Sequence, residues 1–203
     1  MKKLLSAGML TLAILINTSL LADEITDQIN ESLKAYKEKD YKVAIDELTF
    51  VTAQLQKLNA AENQKLLPKP LEGWTAGKAD NSGQAALSML GGMTSMKARY
   101  LKKVSKRKTE QVDIEVMANS PLIAMMSMAI NNPAMMASDA STEPYRYKRI
   151  KGMKKVNGNN TEITLLIAGQ ILLKINGTQL KDSAVLEQYL DAIDISKLKE
   201  KLL

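Results

Sequence analysis

The sequence predicts an α+β protein: an N-terminal helical hairpin, then an antiparallel β-sheet covered by helices on both faces. Two β-branched and leucine-rich runs meet at Gly169-Gln170, two amphipathic runs flank Lys39-Asp40, and capped helical stretches begin at Ser120 and at Asp182 or Ser183. The first of these organises the rest. A Gly followed by almost any residue suits a two-residue type II′ loop, whose first position needs φ > 0. That loop sets Ala168 opposite Ile171 and Leu166 opposite Leu173 on one face, and Ile167 opposite Leu172 on the other. Both faces are then apolar near the turn and both need cover. A three-residue loop gathers Ile163, Leu165, Ile167, Ile171, Leu173 and Ile175 on one face instead. It lacks Gly at the usual last loop position, so the two-residue loop is preferred.

Residues 1 to 22 carry the pattern of a signal peptide: Lys2 and Lys3, an apolar stretch from Leu4 to Ile16, and the small-residue exit Leu20-Leu21-Ala22. Ser6, Gly8, Thr11 and Asn17 interrupt a run too short to span a bilayer, so no membrane-spanning segment is expected after cleavage. With no Cys in the chain there is no acyl site and no disulfide framework. The expectation is export to a bacterial periplasm, a helical hairpin over residues 23–65, and a sheet domain over 66–203.

In the hairpin, Ile25, Ile29, Leu33 and Tyr36 recur at helical spacing, with Asp23 placed to cap the first turn. A second run, Ala44, Leu48, Val51, Leu55 and Leu58, fades by Asn63 and stops before Pro68. The phrase from Ala35 to Ile45, with Tyr36, Asp40-Tyr41 and Ala44-Ile45, resembles the turn of a tetratricopeptide repeat. The resemblance covers one repeat. Stacked repeats need about three units to bury a continuous core, so it implies a hairpin that docks on its own domain or caps a partner.

Pro68 and Pro70 force an extended path into Gly73-Trp74, where Trp74 is expected to anchor the first strand in the core, with ligand or partner stacking as the alternative. Residues 77–92 read as a mobile connection with a short helix at Gln84 to Leu90. Thr94 to Lys103 and Glu110 to Met117 read as a second hairpin. Pairing Ala98 with Ile114 puts Lys97 opposite Glu115 and Arg99 opposite Asp113, so charge and hydrophobic alternation agree on one register. Ser120-Pro121 starts a helix that ends before Asn131-Asn132-Pro133. Strand segments follow at Tyr145 to Ile150 and Met153 to Val156, separated by Gly152, and Asn157-Gly158 is a turn. Val185, Leu186, Tyr189, Leu190 and Ile193 stripe the next helix, and Asp194 to Leu203 form a last short one.

A final hairpin, then Gly177, then a capped helix ending in Ala192-Ile193-Asp194 resembles the end of PsbP-like and DcrB-like exported bacterial domains over roughly the last fifty residues. That resemblance implies an antiparallel sheet between helices and a binding or assisting role. It transfers no functional residue.

The chain has no His and no Cys, which removes the usual general base, thiol catalysis and nearly all zinc sites. Gly91-Gly92 lacks the Lys and Ser or Thr of a phosphate loop. No catalytic residue, no cofactor and no enzymatic activity are expected. Formal charge is +6, or +4 once Lys2 and Lys3 are removed, and export argues against nucleic acid as a partner.

Methionine is the unusual residue, with 12 in the chain. Leu122, Met125, Met126 and Ala129 form one helical stripe, expected to be a core face; Met126 also suits an adaptable partner groove. Soft thioethers suit Cu(I), and Met125, Met128 and Met135 are the candidate ligands of that alternative. Lys102, Lys103, Lys106, Arg107 and Lys108 gather at the tip of the second hairpin, and a further basic run extends from Arg146 to Lys155. Both suit strand edges kept from pairing; Lys106 and Arg107 are also candidate contacts for a partner, anionic lipid or cell-wall polymer. The reading is a non-catalytic periplasmic binding or accessory protein whose partner is another periplasmic protein.

Overall fold

In a computed structural model, residues 16–79, 93–132, 134 and 139–203 are described. The expected connection helix at Gln84 to Leu90, and Met135, lie outside them, as do residues 1–15 of the expected signal peptide. The chain divides into two compact units, Met1–Asn59 and Ala60–Leu203.

The first unit is a helical hairpin, α1 (Ile16–Lys37) and most of α2 (Tyr41–Gln64). The turn between them places Lys39 at φ 62°, and Asp40 Oδ1 accepts from Val43 N at 3.2 Å, satisfying a free amide at the start of α2. Because α1 begins at Ile16 and runs on through Asp23, Asp23 lies inside the helix and does not cap it. Among the described residues no helix is long and apolar enough to cross a membrane.

The second unit is a seven-stranded antiparallel sheet with helices on both faces. Its strands are β1 (Thr75–Gly77), β2 (Thr94–Lys103), β3 (Thr109–Ala118), β4 (Thr142–Tyr147), β5 (Ile150–Asn157), β6 (Asn160–Ile167) and β7 (Ile171–Thr178), in the order β1-β2-β3-β7-β6-β5-β4. The helices are α3 (Pro121–Asn131), α4 (Ala184–Ala192) and α5 (Ile195–Leu202).

The β6–β7 register corrects the expected loop. Ile167 pairs with Ile171, leaving Ala168-Gly169-Gln170 as a three-residue connection in which Gln170 N donates to Ile167 O at 3.1 Å. Two residues take positive φ, Ala168 at 51° and Gly169 at 74°. The chain accepts a left-handed Ala because this register, unlike the two-residue one, puts Ile163, Leu165, Ile167, Ile171, Leu173 and Ile175 on one face, all at most 2% exposed. Shifting the register to relieve one strained residue would split that set, sending the three side chains of one strand to the opposite face.

That face is the main core. Val112, Ile114 and Val116 of β3 and Met96 and Tyr100 of β2 extend it, and Leu186, Tyr189 and Leu190 of α4, Ile193 just after it, and Leu198 and Leu202 of α5 cover it. Asp194 caps α5, its Oδ1 accepting from Lys197 N at 2.9 Å, while at the start of α4 Ala184 N donates at 2.9 Å to Oδ1 of Asp182, the residue before the cap position Ser183. The second hairpin keeps the expected register, Ala98 opposite Ile114, with ion pairs Lys97–Glu115 at 3.2 Å and Arg99–Asp113 at 2.7 Å.

On the opposite face, a smaller core forms where Ile123 and Ile130 of α3 meet Leu172, with Met117, Met126, Met153 and Leu166 around it. Ser120 Oγ accepts from Leu122 N at 3.3 Å and Pro121 opens the helix, as the sequence predicts. The stripe expected to be buried is corrected: Ile123, Met126 and Ile130 face the sheet, while Leu122, Met125 and Met128 face outward. The strand break expected at Gly152 is also corrected. The turn is Lys148-Arg149, both at positive φ (43° and 69°), and Gly152 sits inside β5 opposite Leu165. It is Gly because a Cβ there would stand 2.2 Å from the Thr164 carbonyl oxygen.

Gly152→Ala is therefore expected to lower the unfolding free energy by at least about 2 kcal/mol, read from urea denaturation, since a backbone oxygen cannot rotate away as a side chain can. Ala168→Gly, by contrast, is expected to raise it by about 1 kcal/mol through relief of the left-handed φ, a gain that a relaxed Ala168 would not show.

Candidate functional site

The hairpin is held together by small side chains. Ser32 and Ala35 of α1 and Ala44 of α2 are buried, and Ser32 Oγ donates to the Ala44 carbonyl at 3.0 Å, with Ile25 and Val51 completing the interior. Small residues let the two backbones approach closely. The contact then uses only one margin of each helix's apolar arc. Ile29, Leu33 and Tyr36 on α1, and Tyr41, Ile45, Leu48, Leu55 and Leu58 on α2, remain exposed, Leu33 at 48% and Leu48 at 49%. The rings of Tyr36 and Tyr41 stand 6.0 Å apart, so the two open arcs join at the turn end. Most of the positions that sequence periodicity marks as the inward face are thus exposed. The signal for the true contact is the small-residue set Ser32, Ala35 and Ala44.

Of the methionines singled out, Met126 is half-buried against the sheet, and Met125 and Met128 lie exposed one turn apart on α3. The third candidate Cu(I) ligand, Met135, is outside the described residues. Among the described residues no group of three or more His, Cys, Asp or Glu is placed to hold a metal ion.

Trp74 is buried at the entrance to β1, edge-on to Tyr189 at 5.8 Å, and Tyr189 stacks on Tyr100 at 4.6 Å. This aromatic group fastens the extended segment that precedes it: the Tyr100 hydroxyl donates to the Pro68 carbonyl, and Leu71 N donates to the Tyr189 hydroxyl at 3.4 Å. Lys102 lies 5.9 Å over the Trp74 ring. Lys106 and Arg107 are exposed in the β2–β3 turn, where Ser105 Oγ accepts from Arg107 N and Lys108 N at 3.3 and 3.2 Å.

The charged groups of the sheet domain are largely occupied with one another. Lys155 and Ser141 hydrogen-bond Asp139 and hold its carboxyl well below the usual range. Lys148 donates to Asp191 at 2.6 Å and lowers it in the same way, while the Tyr147 hydroxyl donates to the same oxygen and ties β4 to α4. Tyr145 donates to Glu187 at 2.8 Å, and burial together with that carboxylate pushes its hydroxyl up to about 12. On the α3 face, cross-strand partners alternate in sign, Lys174 pairing with Glu162 at 3.5 Å beside Lys97–Glu115 and Arg99–Asp113. These are ladders that satisfy a solvated sheet surface.

No protein-family model matches the chain, and no curated protein matches it. Among solved structures the chain is similar to LpqN, involved in cell envelope biogenesis of Mycobacterium tuberculosis, with a TM-score of 0.33 and 9% identity over 63% of this chain and 78% of that one. A likeness that loose carries no argument about function.

Burial pushes the hydroxyls of both Tyr100 and Tyr189 up from 10 to about 12. Below pH 10 the folded and unfolded chains both keep these protons, so the contribution is constant there. Between pH 10 and 12 the unfolded chain releases them and the folded chain does not, so stability is expected to fall as pH rises. Urea midpoints over that range should decline less steeply for Tyr100→Phe, by up to about 1.4 kcal/mol per pH unit, and a parallel decline would contradict the buried, protonated hydroxyl.

Proposed function

We propose that the chain is a non-catalytic binding protein of the bacterial periplasm whose helical hairpin takes up an amphipathic helix from a partner protein. The leader pattern at residues 1–22 supports export, and the absence of His and Cys supports binding over catalysis. One observation carries the reading: the joined apolar arcs of α1 and α2, with Ile29, Leu33, Tyr36, Tyr41, Ile45 and Leu48 all in water. The likeness of the Ala35 to Ile45 turn to a tetratricopeptide repeat fits it, because such a repeat leaves one face for the next helix pair and this chain supplies no second copy. A single amphipathic helix is the complementary object, its own stripe at i, i+3, i+4 and i+7 filling the trough between α1 and α2. Taking the rest of each exposed side chain out of water is worth roughly 1 kcal/mol apiece, enough for binding once ordering costs are met.

The experiment is capture from a periplasmic extract with the full chain, followed by Leu33→Glu and Leu48→Glu. Both side chains are already half in water, so the melting temperature should stay within about 2 °C while the captured protein is lost. Capture that survives both substitutions rules out the hairpin as the binding surface.

A further inference from the structure

We propose that the outer side of α3, with the adjoining β4–β5 turn, is a docking surface for an anionic lipid bilayer, separate from the hairpin. From Pro121 to Asn131 the helix carries no charged residue. A helix at a globular surface ordinarily turns charged side chains to solvent. Here Ile123, Met126 and Ile130 serve the sheet, and the outer side consists of Leu122, Met125 and Met128, the last two 60% and 63% exposed. An uncharged, apolar ridge of this kind is an interaction surface, and its neighbours say with what.

Arg146 and Lys151 are cross-strand partners, and Lys151 Nζ reaches Asn131 Oδ1, at the last residue of α3, at 3.1 Å. Their side chains therefore leave the sheet on the face that α3 covers, beside Met128, which precedes Asn131 by one turn. The turn between their strands is Lys148-Arg149, both exposed. Of the carboxylates near these strands, Asp191 takes Lys148, Glu143 takes Lys154 and Asp139 takes Lys155. Arg146 and Arg149 have no ion pair among the described residues, and Lys151 meets only a neutral amide. Arg146 and Lys151 thus stand without counterions on the face that α3 covers, with Arg149 likewise unpaired in the turn that joins their strands, the combination that places side chains in acyl chains and guanidinium and ammonium groups among anionic headgroups. A second copy fits worse. A two-fold interface must be complementary to itself, and cations around an uncharged helix are not.

Flotation of the full chain with vesicles tests this, comparing phosphatidylcholine with phosphatidylcholine containing about one third phosphatidylglycerol. Whatever the leader contributes is common to every variant, so the differences between variants are what is read. The chain should favour the anionic vesicles and lose that preference as salt rises from about 0.1 M to about 1 M. Arg146→Gln with Arg149→Gln should weaken partition into anionic vesicles about 25-fold, roughly five-fold for each cation removed. Met125→Ser with Met128→Ser should weaken partition into both kinds of vesicle. All four side chains are exposed or half-exposed, so circular dichroism should be unchanged. Equal flotation with neutral and anionic vesicles, or variants that float as the unaltered chain does, would overturn the proposal. So would light scattering that finds a dimer dissolved by the methionine substitutions, which would make a second copy the occupant.

Discussion

The pairing of Ile167 with Ile171 constrains the sheet domain more than any other single contact. With a side-chain period of two, that pair decides which face every residue of β6 and β7 occupies, and β3 and β5 take their alignment from those two strands. Leu165 opposite Leu173 and Ile163 opposite Ile175 then follow, and with them the apolar floor on which α4 and α5 lie. The cost is local, one left-handed alanine at the turn. The return is distributed over six side chains of Ile and Leu, each worth roughly 1.5–3 kcal/mol when fully buried. A penalty of about 1–2 kcal/mol at Ala168 is therefore readily carried.

The two faces of this sheet are solved by different means. On the α4 side the surface is apolar throughout the central strands and needs a continuous helical cover. On the α3 side it is apolar only near the β6–β7 turn, around Leu166, Leu172, Met117 and Met153, and one short helix suffices there. Further along the strands the same face carries Lys97, Glu115, Lys174, Glu162, Asp113 and Arg99, which satisfy each other across neighbouring strands and need no cover. Helix is spent only where charge is absent.

How much of this was legible follows from what each residue type encodes. The β2–β3 register was readable because charge and hydrophobicity spoke independently: Arg99 opposite Asp113 and Ala98 opposite Ile114 are satisfied by one alignment only. The β6–β7 register was not, since the residues near the turn are apolar on both faces and the sole marker was a glycine. That glycine occupies the second loop position, where a left-handed residue is also needed, and Ala168 takes the first despite its Cβ. Gly152 misled in the opposite sense, as a break marker that is in fact demanded by a close backbone approach in mid-strand. Turn chemistry is informative where one residue type can satisfy a conformation, and ambiguous where packing elsewhere overrides it.

The candidate surfaces were hidden by a related ambiguity. Helical periodicity reports that a stripe is apolar and does not report what covers it. In α1 the stripe of Ile25, Ile29, Leu33 and Tyr36 looks like the inward face, yet the contact with α2 runs along Ser32 and Ala35, because close packing of two helices rewards small side chains over large ones. In α3 the absence of any charge leaves the rotation about the helix axis unmarked, and only the docking of Ile123 and Ile130 onto Leu172 shows that Met125 and Met128 point away. In both helices several large apolar side chains stay exposed, Ile29, Leu33 and Tyr36 on α1 and Leu122, Met125 and Met128 on α3. Contacts that close on Ser32, Ala35 and Ala44 in the hairpin, and on Ile123 and Ile130 under α3, leave these tyrosine, leucine and methionine side chains in water at a free-energy cost.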